Sequence, residues 1–143
     1  MNSSYSEKFD EYKTIGIAKL MERAKIIKQK GLKKWMSVNP DYAYGRDSDD
    51  TFFWALEKFA PAFKILGKGW PKIFQPDYTE VITQIAREKP DAIYTSLWGG
   101  DLVSFIGESN LYRIFDKSEL FAINLADYTT MSAIKNLPEG LHS

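Results

Sequence analysis

The 143-residue chain is 44% hydrophobic and 27% charged, a composition that excludes intrinsic disorder and suffices for one domain with a core of its own. Lysine plus arginine and aspartate plus glutamate number 19 each, and this zero net charge argues against a nucleic-acid-binding protein, which would need a basic surface. The absence of cysteine excludes disulfides and cysteine-ligated metal sites.

The N-terminal segment predicts a helix that ends at Gly31. Its first residues lack a basic stretch followed by an apolar run, so they do not predict a signal peptide. No run of 18 or more apolar residues predicts a membrane span either. The apolar residues at helical spacing are Ile17, Leu20, Met21, Ala24 and Ile27.

Four short apolar segments predict the strands of a sheet. They begin near Trp35, Phe63, Ala92 and Leu120, so they recur every 28 or 29 residues. Amphipathic stripes between them predict helices, and a strand–helix period near 30 residues is typical of consecutive βαβ units. The sequence therefore predicts the α/β class with a doubly wound, mainly parallel sheet. The stripes are Phe52, Ala55, Leu56, Phe59; Tyr78, Val81, Ile82, Ile85; and Leu102, Phe105, Ile106.

We expect one α/β lobe over 1–143, made of a leading helix (1–31), βα units (32–127) and an incomplete C-terminal part (128–143). Asp77 is expected to cap the third helix, and Pro90 to separate that helix from the third strand. Residues 128–136 predict one more helix, and residues 137–140 predict a connection towards another strand.

Two loops after predicted strands are candidates for a ligand site. Residues 39–47 (NPDYAYGRD) follow the first strand, and residues 96–101 (SLWGGD) follow the third. In open parallel sheets ligands bind beyond the carboxyl ends of the strands, where the strand order reverses, and for the order 2-1-3-4 this point lies between strands one and three.

The residue types of these loops suit a small polar ligand. Tyrosine and tryptophan offer apolar faces with a polar edge, and backbone N–H groups at a helix start can hold carboxylate, carbonyl or anionic groups. A purely structural role stays open, in which the aromatics shield the sheet end and the glycine pair makes a tight turn. The candidate residues of the two loops are Tyr42, Tyr44, Trp98 and Gly99.

Catalytic and cofactor motifs are sparse, so we expect no enzyme, cofactor or metal site. The only histidine, His142, lies beside the C-terminus, where a frayed tail is expected, and no Ser–His–Asp set can be assembled. The Gly67-Lys68-Gly69 segment lacks the rest of a phosphate loop. An acidic patch could suggest a metal or phospho-acceptor site, but we expect its residues 47–50 in the first turns of a helix, where negative charge is favourable. The patch is Asp41, Asp47, Asp49 and Asp50.

Three segments together resemble the type I periplasmic solute-binding proteins, in the group that serves branched-chain amino acid, urea and short-chain amide ABC transporters. They are residues 39–47, 75–78 (QPDY) and 89–101 (KPDAIYTSLWGGD), and the resemblance runs from Ile15 to the end. It implies the second of two flavodoxin-like or Rossmann-like lobes. It also implies that Tyr42 and Tyr44 face the cleft between lobes, that Trp98 supplies an aromatic contact, and that Asp127 binds a ligand amine.

The resemblance implies a protein that binds a small polar molecule, such as an amino acid, amide or urea-like ligand, and catalyses nothing. Its partners would be the missing first lobe and an ABC-transporter permease, with self-association possible. It would act in the periplasm or outside the cell, associated with the membrane in the full-length protein. The alternatives are a flavodoxin-like enzyme or nucleotide-binding domain, and the ligand-sensing domain of a receptor.

Overall fold

The computed structural model describes residues 22–125 and 141–142. Its helices are α1 (22–30), α2 (Ala43–Phe59), α3 (Thr79–Glu88) and α4 (Gly99–Leu111), and a 3-10 turn follows at Ile114–Asp116. Within these residues no helix is both long and apolar enough to cross a membrane. The strands are β1 (Lys34–Val38), β2 (Lys64–Gly69), β3 (Ala92–Thr95), β4 (Glu119–Ala122) and β5 (Leu141–His142).

The strands form one sheet in the order β2-β1-β3-β4-β5, and all neighbouring strands are parallel. The predicted doubly wound α/β class is confirmed, and the first four strands begin within one residue of the predicted positions. A fifth strand, β5, adds two residues beside β4. The predicted helix at 128–136 and the candidate Asp127 lie outside the described residues.

The sheet separates two hydrophobic layers, because successive side chains of a strand point to opposite faces. In β3, Ile93 joins the layer under α3 and α4, whereas Ala92 and Tyr94 join the layer under α1 and α2. The second layer is rich in aromatic residues, and the rings of Phe52 and Tyr94 stack with centroids 4.0 Å apart. Much of the aromatic content is therefore core packing rather than binding surface. The aromatic members of the second layer are Trp35, Phe52, Phe53, Tyr94 and Phe121.

Local signals at the helix ends agree with the sequence. Gly31 has a φ of +64°, a left-handed conformation that ends α1, and Leu32 N–H donates to the Ile27 carbonyl across this turn. The Asp77 carboxylate accepts a hydrogen bond from Thr79 N–H at 3.2 Å, so Asp77 does support the start of α3.

Candidate functional site

Two helices begin at the same edge of the sheet, where the parallel strands β1 and β3 end side by side. The loop after β1 leads into α2, and the loop after β3 leads into α4. Both helices start from an extended residue, Tyr42 and Trp98, and no side chain in the described part of the chain caps either start. Their first backbone N–H groups are therefore directed towards this edge, with the positive ends of the helix dipoles.

The predicted aromatic residues come together at this edge. Trp98 Nε1–H donates a hydrogen bond to the Tyr42 hydroxyl at 3.0 Å, and the rings of Tyr42 and Tyr44 have centroids 5.8 Å apart. Trp98 is 43% exposed, and the two tyrosines are half-buried. We call Tyr42, Tyr44 and Trp98 the aromatic rim; their contact with a ligand stays a prediction.

Gly99 has a conformational role in the structure. Its φ is +56°, and a Cβ built on it would meet no atom within 4 Å in the described part of the chain. The left-handed backbone, rather than a close approach, therefore favours glycine where β3 turns into α4. Its role in ligand binding, like that of Asp127, remains a prediction.

Asn124, in the loop after β4, is a site residue that the sequence did not reveal. Its Nδ2 group lies 2.9 Å from the Tyr44 hydroxyl and 3.0 and 3.2 Å from the carbonyls of Ser96 and Leu97. It therefore connects Tyr44 to the loop after β3. A polar residue two positions beyond a predicted strand at this edge is a usable signal for Asn124, whereas the family resemblance points to Asp127 instead.

A buried polar network lies beneath the aromatic rim. Asn39 Oδ1 accepts hydrogen bonds from the backbone N–H and the hydroxyl of Ser96, at 2.9 and 2.7 Å. Asn39 Nδ2 donates to Asp49 at 2.9 Å, and the other oxygen of Asp49 pairs with Lys68 Nζ at 2.5 Å. The network joins β1, α2, β2 and the loop after β3.

This network gives Asp49 of the acidic patch a role other than a favourable charge at a helix start. Residues 47–50 lie in the early turns of α2, as expected, but the helix faces Asp49 inwards, where it is 1% exposed and paired with Lys68. Among the described residues, no cluster of three or more His, Cys, Asp or Glu side chains could hold a metal ion. Asp49 therefore acts as a buried structural ion-pair partner.

The exposed charges beside the rim pair with each other. Arg46 forms an ion pair with Asp41 at 2.7 Å, and its guanidinium lies 3.6 Å from the ring centroid of Trp70 in the loop after β2. Stacking on the indole and pairing with a carboxylate both orient the guanidinium. The segment that carries Tyr42 and Tyr44 is thus braced against the neighbouring loop.

Nearby buried hydroxyls stay protonated at neutral pH. Burial is the main cause that raises the pKa of Tyr94 far above its usual value, and burial followed by the charge of Asp101 does the same for the pKa of Tyr78. The hydroxyls of these two tyrosines are therefore not ionised at neutral pH.

The structure corrects the expectation for His142. It lies in β5 beside Glu119, at the amino-terminal end of β4, rather than in a frayed tail.

A depression of about 400 Å³ lies at the edge of the sheet opposite the aromatic rim, between the C-terminal ends of α3 and α4. Its cations suit that position, because helix C-termini present carbonyl groups and a negative dipole end. Helix chemistry therefore accounts for this charge without a ligand. The charged lining residues are Lys89, Arg113, Asp116 and Lys117.

A family model described as periplasmic binding protein matches residues 17–135. Among solved structures, the chain is similar to an ABC-transporter solute-binding protein from R. palustris in complex with benzoate, with a TM-score of 0.69 and 23% identity over 85% of this chain and 32% of that chain. It is also similar to a branched-chain amino acid ABC-transporter periplasmic ligand-binding protein from Burkholderia xenovorans LB400, with a TM-score of 0.69 and 16% identity over 80% and 30% of the two chains.

A third similar structure is a leucine-, isoleucine-, valine-, threonine- and alanine-binding protein from Brucella ovis, with a TM-score of 0.66 and 18% identity over 76% and 28% of the two chains. At these identities the likeness shows the fold alone. The chain spans about a third of the length of these structures. Among curated proteins, none matches the chain significantly.

Proposed function

Because the chain belongs to the periplasmic binding protein family, we propose that it is the solute-binding lobe of an ABC-transporter substrate-binding protein. Its ligand is a small polar molecule, such as an amino acid, an amide or a urea-like compound, that rests on the aromatic rim. The observation that carries this proposal is the hydrogen bond from Trp98 to Tyr42, because it joins the loops that follow two adjacent parallel strands. Ligands of open parallel sheets bind at such a point.

The rim offers the two kinds of contact that such a ligand needs. The faces of Trp98 and Tyr42 can pack against a flat or apolar part of the ligand, and the first N–H groups of α2 and α4 can donate to a carboxylate or carbonyl group. Benzoate and the amino acids in the names of similar structures carry such a carboxylate. Small carboxylates therefore belong in the ligand panel beside amides and urea.

The remaining steps of transport need other components. A first lobe would supply the opposite wall of the cleft and close over the ligand by a hinge motion, as in two-lobed binding proteins. The closed protein would then deliver its ligand to a membrane permease, from the periplasm or the outer face of the cell. The chain itself carries out no reaction in this proposal.

Titration of the 143-residue chain with benzoate, leucine, acetamide and urea, followed by calorimetry, tests the proposal. We expect at least one of these to bind, and we expect Trp98→Ala to weaken that binding about 10-fold or more through loss of stacking area. Trp54→Ala is the matched control, because Trp54 is also an exposed tryptophan, at 51%, but lies along α2 beside Lys58. No binding by any of the four compounds, or equal losses in both variants, would contradict the proposal.

A further inference from the structure

Asn39 occupies the point where three strands of the sheet end together. It directly follows β1 and is fully buried. Its backbone N–H donates to the carbonyl of Gly69 at the end of β2, at 3.1 Å, while its side chain reaches Ser96 beyond β3 and Asp49 on α2. One residue therefore ties together the carboxyl ends of β1, β2 and β3.

The partners of Asn39 require an amide. The backbone N–H of Ser96 is a donor and needs an acceptor, whereas the carboxylate of Asp49, already paired with Lys68, is an acceptor and needs a donor. A side-chain amide satisfies both from one position. An aspartate there would bring a second carboxylate against Asp49, and buried unmatched groups of this kind are costly.

The same bonds set the spacing of the aromatic rim. Tyr42 lies three residues after Asn39, and Trp98 lies two residues after Ser96, so the Asn39–Ser96 contact fixes the two loops close to the points from which these side chains project. Asn124 continues the connection, since it donates to the Ser96 carbonyl and to the Tyr44 hydroxyl. We propose that Asn39 is the positioning residue of the rim, because it aligns the two loops through Ser96 without touching a ligand. The relevance of this alignment to ligand binding rests on the proposed function.

The test is an exchange of acid and amide, read by NMR of the indole N–H groups in the ligand-free 143-residue chain. Asn39→Asp should shift the Trp98 resonance, because the loops lose their alignment and Trp98 loses its bond to Tyr42. In the double variant Asn39→Asp/Asp49→Asn, the carboxylate at position 39 again accepts hydrogen bonds from Ser96. The amide at position 49 donates to that carboxylate, and its oxygen remains available to Lys68. This double variant should return the Trp98 resonance to its original position.

Ser118→Ala is the matched control. Ser118 is buried and its hydroxyl donates to the Pro90 carbonyl at 2.6 Å, at the opposite edge of the sheet. Its loss should lower stability but leave the Trp98 resonance in place. If Asn39→Asp does not fold, Ser96→Ala decides, because it removes only one of the two bonds to Asn39 and should still shift the Trp98 signal selectively.

The inference is overturned if the Trp98 signal stays in place in Asn39→Asp, or if the double variant fails to restore it. It is also overturned if Ser96→Ala leaves Trp98 unmoved or shifts all four indole signals together. Because the NMR experiment needs no ligand, its result is independent of the result of the binding titrations.

Discussion

Gly45 shows at the scale of one residue why the loop after β1 needs its particular sequence. It lies in the first turn of α2, and a Cβ built on it would come within 1.9 Å of the Pro40 carbonyl oxygen. The chain folds back there so tightly that only glycine fits. Its presence beside Tyr42 and Tyr44 therefore has a packing reason that is independent of any ligand.

We predict that Gly45→Ala destabilises the protein by about 2–4 kcal/mol, because the new methyl group must displace backbone rather than a flexible side chain. Urea denaturation measures the difference. Gly107→Ala in α4 is the control: a Cβ there meets no atom within 4 Å in the described part of the chain, so the same change should raise stability by up to about 1 kcal/mol. A Gly45→Ala protein as stable as the original would show that the loop can relax.

At the scale of elements, Glu119 joins three of them. From β4 its carboxylate pairs with Lys30 of α1 at 2.5 Å and with His142 of β5 at 3.0 Å, and the His142 ring stacks on Phe121 with centroids 4.6 Å apart. Burial alone would raise the pKa of the Glu119 carboxyl, but the hydrogen bonds from Lys30 and His142 outweigh it and lower this pKa. The short strand β5 is thus held by more than its backbone pairing.

We predict that Glu119→Gln lowers stability at pH 7 by about 1 kcal/mol, through the loss of these charge-assisted bonds. Because the pKa is lower in the folded than in the unfolded chain, the ionised carboxylate stabilises the fold above the unfolded pKa, and this contribution is lost as the pH falls through the folded value. Thermal unfolding of both proteins should therefore show a difference that shrinks below about pH 4.

Glu88→Gln is the control for this prediction, since among the residues that the structure describes Glu88 forms only a long surface pair, with Arg87 at 3.7 Å. Glu88→Gln should change the free energy of unfolding little at pH 3 or at pH 7. An equal loss for Glu119→Gln at pH 3 and pH 7 would mean that packing rather than charge explains the effect.

At the scale of the whole molecule, the two hydrophobic layers share the strands of one sheet, so we expect them to unfold together. The layer under α3 and α4 is mainly aliphatic, whereas half of the buried residues in the layer under α1 and α2 are aromatic. Near-UV circular dichroism reports on the packing of aromatic side chains in this layer and elsewhere, and far-UV circular dichroism reports on all helices.

We predict a single cooperative transition, with the same thermal midpoint in both spectral regions. Phe52→Ala in the layer under α1 and α2 and Ile82→Ala in the layer under α3 and α4 should each lower the free energy of unfolding by about 2–5 kcal/mol, as is typical when a large buried side chain is replaced by a small one. In each variant the near-UV and far-UV midpoints should fall by the same amount. A near-UV signal that disappears at a lower temperature than the far-UV signal would contradict this prediction, because aromatic packing would then be lost before the helices.

The first four strands, the helices between them, the mainly parallel sheet and the two loops at its edge could all be predicted from the sequence, whereas β5 could not. These depend on local patterns, since alternation, helical stripes and turn residues act over a few neighbouring positions. The meeting of Tyr42 and Trp98 then followed from the general rule for parallel sheets.

Which polar groups meet depends instead on the packing of the elements in three dimensions. The Asp49–Lys68 pair spans 19 residues, the bond between Asn39 and Ser96 spans 57, and that between Asn124 and Tyr44 spans 80. No local pattern marks such partners, because a carboxylate on a helix is equally compatible with solvent and with a buried cation until packing sets which face turns inwards. The network under the rim is therefore a product of how the elements pack, whereas the rim itself could be predicted from where the strands end.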